Sequence, residues 1–271
     1  MNIFIYCVIG IIGVLFGSFF TLSVYRIPRG EDITHTRSYC PKCEHKLGFF
    51  DLIPVLSYIF LGGKCRYCKE TISKRYILFE IFTGILFILL ALTMGINVSN
   101  LIIRLPELVY NILFLAIIIM IIGMAKEANH INVTTILFGI LFRTIYLAFF
   151  DLEMFKISFL QTAELLLICL IVYTIMAMLK VNETRFENFL ELALLVSFIA
   201  YNFGLMITTC TMLLALISKI LNKFICRIKI NPAVYIGIIT ICILLTKNID
   251  FLSNIYENIS GWIIWKKEVI Q

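Results

Sequence analysis

Long apolar blocks are the feature of this sequence that most strongly constrains its fold. They alternate with short polar segments along the sequence, and most run for roughly 17–22 residues, about the length that a helix needs to cross a bilayer. Backbone groups in lipid must find their hydrogen bonds within the segment, so helices are the expected element. We predict an all-α polytopic membrane protein with about eight transmembrane helices. The predicted spans are 3–24, 77–94, 108–124, 132–150, 158–179, 188–200, 205–221 and 232–246.

The composition agrees with a membrane protein and excludes an ordinary soluble domain. Hydrophobic residues make up 61% of the chain and charged residues only 15%, whereas soluble domains have about half apolar and about a quarter charged residues. The net charge of +6 would suit nucleic acid if it formed one basic face. The Lys and Arg residues instead cluster beside the apolar blocks. We therefore predict the lipid bilayer as a partner, and no nucleic acid.

The positions of the basic residues predict the orientation. Residues 25–76, here called the cysteine loop, form the longest polar stretch and carry ten Lys and Arg residues. Loops rich in these residues stay in the cytosol, so the N-terminus lies outside. The same scheme makes 125–131, 180–187 and 222–231 cytosolic, and 95–107 and 151–157 external.

This orientation divides the chain into four parts. They are a first transmembrane helix (1–24), the cytosolic cysteine loop (25–76), the remaining transmembrane helices (77–246) and a C-terminal tail (247–271).

Four of the nine cysteines form two C-x-x-C pairs in the cysteine loop, Cys40 with Cys43 and Cys65 with Cys68. Two intervening residues let both thiolates of a pair reach one ion, and two pairs complete the tetrahedral sulfur shell of a structural zinc site. A cytosolic position argues against disulfides. An iron–sulfur cluster, a redox pair and a metal-free set are the alternatives. We predict a small zinc-binding loop domain between the first two transmembrane helices.

Motifs around these cysteines resemble one known family over residues 17–84. They are Gly17-Ser18-Phe19-Phe20, Tyr25-Arg26-Ile27-Pro28-Arg29-Gly30-Glu31, Arg37-Ser38-Tyr39-Cys40-Pro41-Lys42-Cys43, Asp51-Leu52-Ile53-Pro54-Val55-Leu56-Ser57-Tyr58, Gly63-Lys64-Cys65-Arg66-Tyr67-Cys68, Ile72-Ser73-Lys74-Arg75-Tyr76 and Glu80. This series resembles the opening of the bacterial type IV prepilin peptidases.

The resemblance implies an aspartic protease of the bacterial inner (cytoplasmic) membrane. Members cut the leader from type IV prepilins and pseudopilins at the cytosolic face, so these proteins are the implied substrates. Many members also methylate the new N-terminus with S-adenosylmethionine, which the resemblance implies as a second cofactor beside zinc.

The family's two catalytic aspartates are both replaced in this sequence. Aligning Ile131-Asn132 with the family's Ile-Pro puts Ala125 at the first aspartate. Glu127 lies two residues on, about 200° around a helix, so it could substitute only if the helix has already ended. At the second position Glu183 replaces the aspartate, and the two glycines of the family's Gly-x-Gly-Asp motif are missing.

Three functions stay open from the sequence. The first is a working prepilin peptidase with Glu183 and Glu127 as its catalytic carboxylates, one activating water and the other polarising the scissile carbonyl. The second is a relative without catalysis that binds prepilins or subunits of a pilus or secretion machine. The third, a transporter or channel with a zinc-dependent gate, has the least support. Apart from Glu164, the spans are almost purely apolar, whereas transporters have broken helices around a midplane site.

Overall fold

The computed structural model describes residues 2–128, 131–178, 183–203, 205–225 and 231–246. Two 3-10 turns, Ile27–Arg29 and Phe49–Asp51, lie inside the cysteine loop. The helices are α1 (Asn2–Arg26), α2 (Leu56–Phe60), α3 (Lys74–Thr93), α4 (Leu101–Glu127), α5 (Val133–Phe150), α6 (Leu152–Met178), α7 (Glu183–Phe203), α8 (Leu205–Ile225) and α9 (Pro232–Thr246). The predicted all-α architecture is confirmed for these residues, and the predicted tail 247–271 lies outside them.

Several of the described helices are long and apolar enough to cross a membrane. Four stretches of the described residues meet both conditions, Asn2–Arg29, Lys74–Thr93, Leu101–Glu127 and Val133–Phe150. Shorter apolar stretches follow at Glu191–Phe203, Ile207–Ile217 and Pro232–Thr246. The number of crossings and the orientation stay predictions.

Helix α4 lies at the centre of the bundle and packs against α1, α5 and α9. Its side chains Leu115, Ile118 and Ile121 are completely buried. Between membrane helices such contacts stabilise by van der Waals packing rather than by the hydrophobic effect. The packing fixes the last turn of α4, where the sequence predicts a catalytic position.

Glycines allow α1 and α3 to pack with their backbones close together. A Cβ atom on Gly13 would lie 2.9 Å from the Gly84 Cα, and one on Gly17 would lie 2.8 Å from the Glu80 Cα. Small residues at such crossings are the usual means of close helix contact in membranes. The contact brings Gly17 of the first helix directly beside Glu80 of the third.

Several helices extend beyond the spans predicted from apolarity. Helix α4 begins at Leu101 and continues through Glu127, and α7 begins at Glu183 inside the predicted loop 180–187. The predicted external loop 151–157 is also helical after Asp151, whose carboxylate accepts a hydrogen bond from the Met154 N–H at 3.0 Å and caps α6. Apolarity marks only the lipid-like part of a helix, whereas a polar residue can continue the helix or cap it.

Candidate functional site

The four predicted zinc ligands converge in the cysteine loop. The sulfur atoms of Cys40, Cys43, Cys65 and Cys68 all lie within 4.8 Å of one another, and the Cys40 and Cys68 sulfurs are 3.8 Å apart. A tetrahedral zinc with bonds of about 2.3 Å requires sulfurs about 3.8 Å apart. This set of donors therefore fits a zinc ion, with all four tetrahedral positions filled by protein.

Two equivalent turns hold these sulfurs in place. In the first, the Cys40 N–H donates to the His45 carbonyl at 3.0 Å and the Glu44 N–H donates to the Cys40 carbonyl at 2.8 Å. In the second, the Cys65 N–H donates to the Glu70 carbonyl at 2.8 Å and the Lys69 N–H donates to the Cys65 carbonyl at 3.1 Å.

The residue after each pair reverses the chain by the same means. Glu44 has φ 56° and Lys69 has φ 60°, the left-handed conformation that ends such a turn and that few non-glycine residues adopt. The rings of His45 and Tyr67 stack with their centroids 3.6 Å apart and join the two turns. The local sequence therefore builds one site from two copies of the same turn.

Two thiols of this cluster have pKa values shifted in opposite directions. Hydrogen bonds from the Cys43 and Lys42 N–H groups lower the pKa of Cys40 to about 7. The Glu70 N–H acts to lower the pKa of Cys68, but burial and the neighbouring sulfurs raise it to about 12. Because only thiolates bind zinc, a metal ion entering this cluster would displace protons.

Arg26 ties the end of α1 to the start of the cysteine loop. Its side chain is buried, and one guanidinium nitrogen donates to the carbonyls of Asp32 and Thr36, both at 2.9 Å. The Glu31 carboxylate lies 3.9 Å from its Nε. The arginine therefore holds the first part of the cysteine loop against the end of α1.

The position aligned with the family's first aspartate offers no reactive group. Ala125 is buried in the last turn of α4. The helix continues through Glu127, so the Glu127 side chain points to a different side of α4. Its carboxylate lies 3.8 Å from an Arg29 nitrogen and 3.7 Å from an Arg75 nitrogen. The structure thus brings Glu127 to the cysteine loop, between the end of α1 and the start of α3.

Glu183 is the first residue of α7, and its side chain lies outside the described residues. The predicted pair of Glu183 and Glu127 therefore remains a proposal. Glu164, the acid inside the fifth predicted span, has an exposed side chain on α6.

Glu191 is a buried acid to which the sequence analysis gave no role. It is 6% exposed, and its carboxylate accepts a hydrogen bond from the Ile131 N–H at 2.9 Å. Ile131 lies in the turn between α4 and α5, six residues after Ala125. A signal was present in the sequence, because Glu183, Glu187 and Glu191 follow one another at intervals of four, which puts them on one face of a helix.

Comparison with known proteins gives matches to the N-terminal third of the chain. Residues 11–94 match the family described as Bacterial Peptidase A24 N-terminal domain. The prepilin leader peptidase/N-methyltransferase of Vibrio cholerae is 42% identical over 79 residues, which cover 26% of this chain and 31% of that protein. The proteins of the same name from Myxococcus xanthus and Bacillus subtilis are 42% and 38% identical, over 28% and 33% of this chain.

The matched part spans only 23% of the Myxococcus xanthus protein and 36% of the Bacillus subtilis protein. The chain therefore spans about a third or less of the length of these relatives. No solved structure matches the chain.

Proposed function

Through residues 11–94 this chain belongs to the bacterial type IV prepilin peptidase family, and on that premise we propose that it cleaves the leader peptide of prepilins or pseudopilins. Cleavage would take place at the cytosolic face of the inner membrane, where the predicted orientation puts the cysteine loop. The observation that carries this proposal is the match over residues 11–94, which includes all four cysteines of the converged cluster.

The cysteine cluster has a structural role in this proposal. Cys40, Cys43, Cys65 and Cys68 would hold a zinc ion as four thiolates, and such closed sites contribute folding energy rather than chemistry. The ion would fix the loop against the ends of α1 and α3. Arg29 and Arg75, which lie near the two ends of the loop, contact Glu127.

Glu127 and Glu183 are the proposed catalytic carboxylates, with Glu127 acting from its own side of α4 rather than from the position of the family's first aspartate. One carboxylate accepts a proton from water as the water oxygen attacks the scissile carbonyl carbon. The other, protonated at the start, donates its hydrogen bond to the carbonyl oxygen. Collapse of the tetrahedral intermediate breaks the C–N bond, and the proton taken from water passes to the leaving amine. Both carboxyl groups then return to their starting states.

Methyl transfer is a second proposed activity. The names of the relatives include N-methyltransferase, and the newly exposed amine would be the acceptor. The methyl group would come from S-adenosylmethionine.

A second candidate function is a relative that binds prepilins without cleaving them. The specific observation that favours it is the buried Ala125 at the aligned aspartate position, together with two arginines that already contact Glu127. Such a protein would hold prepilins, or subunits of a pilus or secretion machine, at the membrane.

Carboxylate-to-amide variants distinguish these two functions. The purified full chain in detergent is incubated with a prepilin of the same bacterium, and Glu127→Gln and Glu183→Gln are compared with the unaltered chain. If the two glutamates catalyse, each variant should lower the rate by about 10²–10⁴-fold. Glu153→Gln is the matched control, because that acid is 79% exposed and pairs only with Lys156 among the described residues.

Cleavage at the unaltered rate by both variants would rule out this pair of carboxylates. Cleavage by none of the proteins, together with co-purification of intact prepilin, would support the binding function instead.

A further inference from the structure

One stretch of the cysteine loop is almost free of charge and turns its large side chains outward. Residues 48–63, here called the apolar segment, contain a single charged residue, Asp51. Phe49, Phe50 and Phe60 are 79%, 72% and 82% exposed. Neither helix α2 nor the 3-10 turn Phe49–Asp51 has a buried residue. Exposed apolar surface of this kind marks a docking surface.

The one acid of the apolar segment is compensated by its neighbours. The Arg66 Nε lies 2.5 Å from the Asp51 carboxylate, and the Gly48 N–H donates to that carboxylate at 3.1 Å. Burial raises the pKa of Asp51, but the hydrogen bonds from Arg66 and Gly48 outweigh it and lower the pKa overall. The segment therefore presents aromatic and aliphatic groups without an unpaired negative charge.

A hydrogen bond fixes the depth of the apolar segment along α3. The Val55 N–H donates to the Glu80 carboxylate at 2.8 Å, and Glu80 is buried. Glu80 lies six residues into α3, about 9 Å along the axis from its first residue. Val55 has φ 62°, which is an unfavourable conformation for a β-branched residue. The hydrogen bond to Glu80 therefore stabilises the Val55 backbone in this conformation.

The packing of α1 against Glu80 indicates a similar depth for the apolar segment, independently of the hydrogen bond from Val55. Gly17 packs against the Glu80 backbone and lies nine residues before Arg26, the last residue of α1. That separation corresponds to about 13 Å of helix. Both α1 and α3 are long and apolar enough to cross a membrane. The apolar segment therefore lies beside the membrane-crossing parts of α1 and α3. It is nearer to the bilayer centre than the ends of these helices that join the cysteine loop.

We propose that the apolar segment lies in the bilayer leaflet next to the cysteine loop, with Phe49, Phe50 and Phe60 at the boundary between lipid headgroups and acyl chains. A stretch of this length is too short to cross the bilayer and is typical of interfacial segments. In this proposal, anionic phospholipid is the molecule that contacts the exposed surface of the segment.

The charge of the surrounding loop favours that occupant. Residues 25–76 carry ten basic side chains against five acidic ones, and the exposed Lys64 and Lys69 follow the apolar segment closely. Basic residues near an anionic membrane surface strengthen binding to it by electrostatic attraction. A groove of ≈ 470 Å³, lined by residues that include Phe50, Leu56 and Phe60, opens on the same surface.

Tryptophan fluorescence in bilayers tests this inference without any assay of cleavage. The two native tryptophans, Trp262 and Trp265, are replaced by phenylalanine, and Phe60→Trp supplies a single reporter in the full chain. The protein is reconstituted in phosphatidylcholine and phosphatidylglycerol, with and without bromine on the acyl chains. Phe138→Trp on α5, where the phenylalanine is 56% exposed, is the lipid-facing control. Lys42→Trp in the first cysteine turn is the polar control.

Phe60→Trp should lose most of its fluorescence in brominated lipid, as Phe138→Trp does, and should emit at a shorter wavelength than Lys42→Trp. Phe49→Trp repeats the measurement at the other end of the segment, in case Phe60→Trp does not fold. The proposal would be overturned if Phe60→Trp and Phe49→Trp both resist quenching, as Lys42→Trp does, while Phe138→Trp is quenched. Protection of both reporters from brominated lipid by added prepilin would also overturn it, since the occupant would then be protein.

Discussion

The Arg26 guanidinium links α1 to the cysteine loop by donating to the carbonyls of Asp32 and Thr36. Replacing it by leucine would remove the hydrogen bonds to the Asp32 and Thr36 carbonyls. Hydrogen bonds made by a charged group contribute about 1.5–3 kcal/mol each. We expect Arg26→Leu to lower the free energy of unfolding by at least that amount, measured as a lower thermal midpoint in detergent.

Arg37→Leu is the matched control for Arg26→Leu, because Arg37 is an exposed arginine of the same loop. Equal midpoints for the two variants would contradict the role assigned to Arg26.

Glu191 should act on the turn between α4 and α5 through its hydrogen bond to Ile131. Glu191→Gln keeps an acceptor oxygen, whereas Glu191→Leu leaves the buried Ile131 N–H unsatisfied, which costs about 1–3 kcal/mol. We expect hydrogen exchange at the Ile131 amide to accelerate strongly in Glu191→Leu and only slightly in Glu191→Gln. Glu164→Leu, which removes an exposed acid from α6, should leave this exchange unchanged.

Equal protection of Ile131 in Glu191→Leu and Glu191→Gln would show that the carboxylate does not hold the turn.

Residues with local partners could be predicted from the sequence, and residues with distant partners could not. Each C-x-x-C pair is local, and because a structural zinc site needs four thiolates, the two pairs together predict one cluster. The structure brings all four sulfurs together. Glu191 meets a backbone amide sixty residues away, and no pattern in the sequence encodes that contact. The same holds for Glu80 and Val55, which are 25 residues apart.

At the scale of helices, the packing of α1 on α3 depends on glycine. A side chain at Gly13 would meet the Gly84 backbone at 2.9 Å, so Gly13→Leu should push the two helices apart. Overpacking of this kind costs about 1–3 kcal/mol, and more where backbone must move. Cys7→Leu on the exposed side of α1 is the control and should leave the thermal midpoint unchanged.

An unchanged midpoint for Gly13→Leu would contradict the close contact between α1 and α3.

The two cysteine turns form one element that should depend on its metal. We expect one zinc ion per chain by elemental analysis. Removal of the ion by a strong chelator should destabilise the loop, because structural zinc sites contribute folding energy directly. Cys65→Ser should remove the zinc and lower the thermal midpoint, whereas Cys242→Ser, at an exposed position on α9, should do neither.

Full stability of Cys65→Ser, or iron in place of zinc, would contradict a structural zinc site.

The sequence predicted the positions of the helices more accurately than it predicted their ends. The apolar blocks predicted where α1, α3, α4 and α5 lie because lipid selects for long apolar stretches. The ends of α4 and α7 fell outside those blocks, since polar turns continue each helix as far as Glu127 and from Glu183 onward. The missed turn at Glu127 matters for function, because it puts Ala125 and Glu127 on different sides of one helix.

At the scale of the whole molecule, the chain combines a matched N-terminal part with a helix bundle outside the match. The family model matches as far as residue 94, and the two positions predicted from the sequence to correspond to catalytic aspartates, Ala125 and Glu183, come after it. The part that matches contains the cysteine cluster and the apolar segment, and both lie beside the ends of α1 and α3. In the proposed function, this arrangement would hold a prepilin at the membrane surface while its leader is removed.

The mass of a prepilin after incubation with the full chain tests this central claim most directly. The protein, purified with zinc in detergent, is mixed with a prepilin of the same bacterium and S-adenosylmethionine, and the intact masses are recorded. The account predicts a product shorter by the leader peptide, and a further gain of one methyl group if transfer also occurs. A prepilin that keeps its full mass, and that does not co-purify with the chain, would contradict the account.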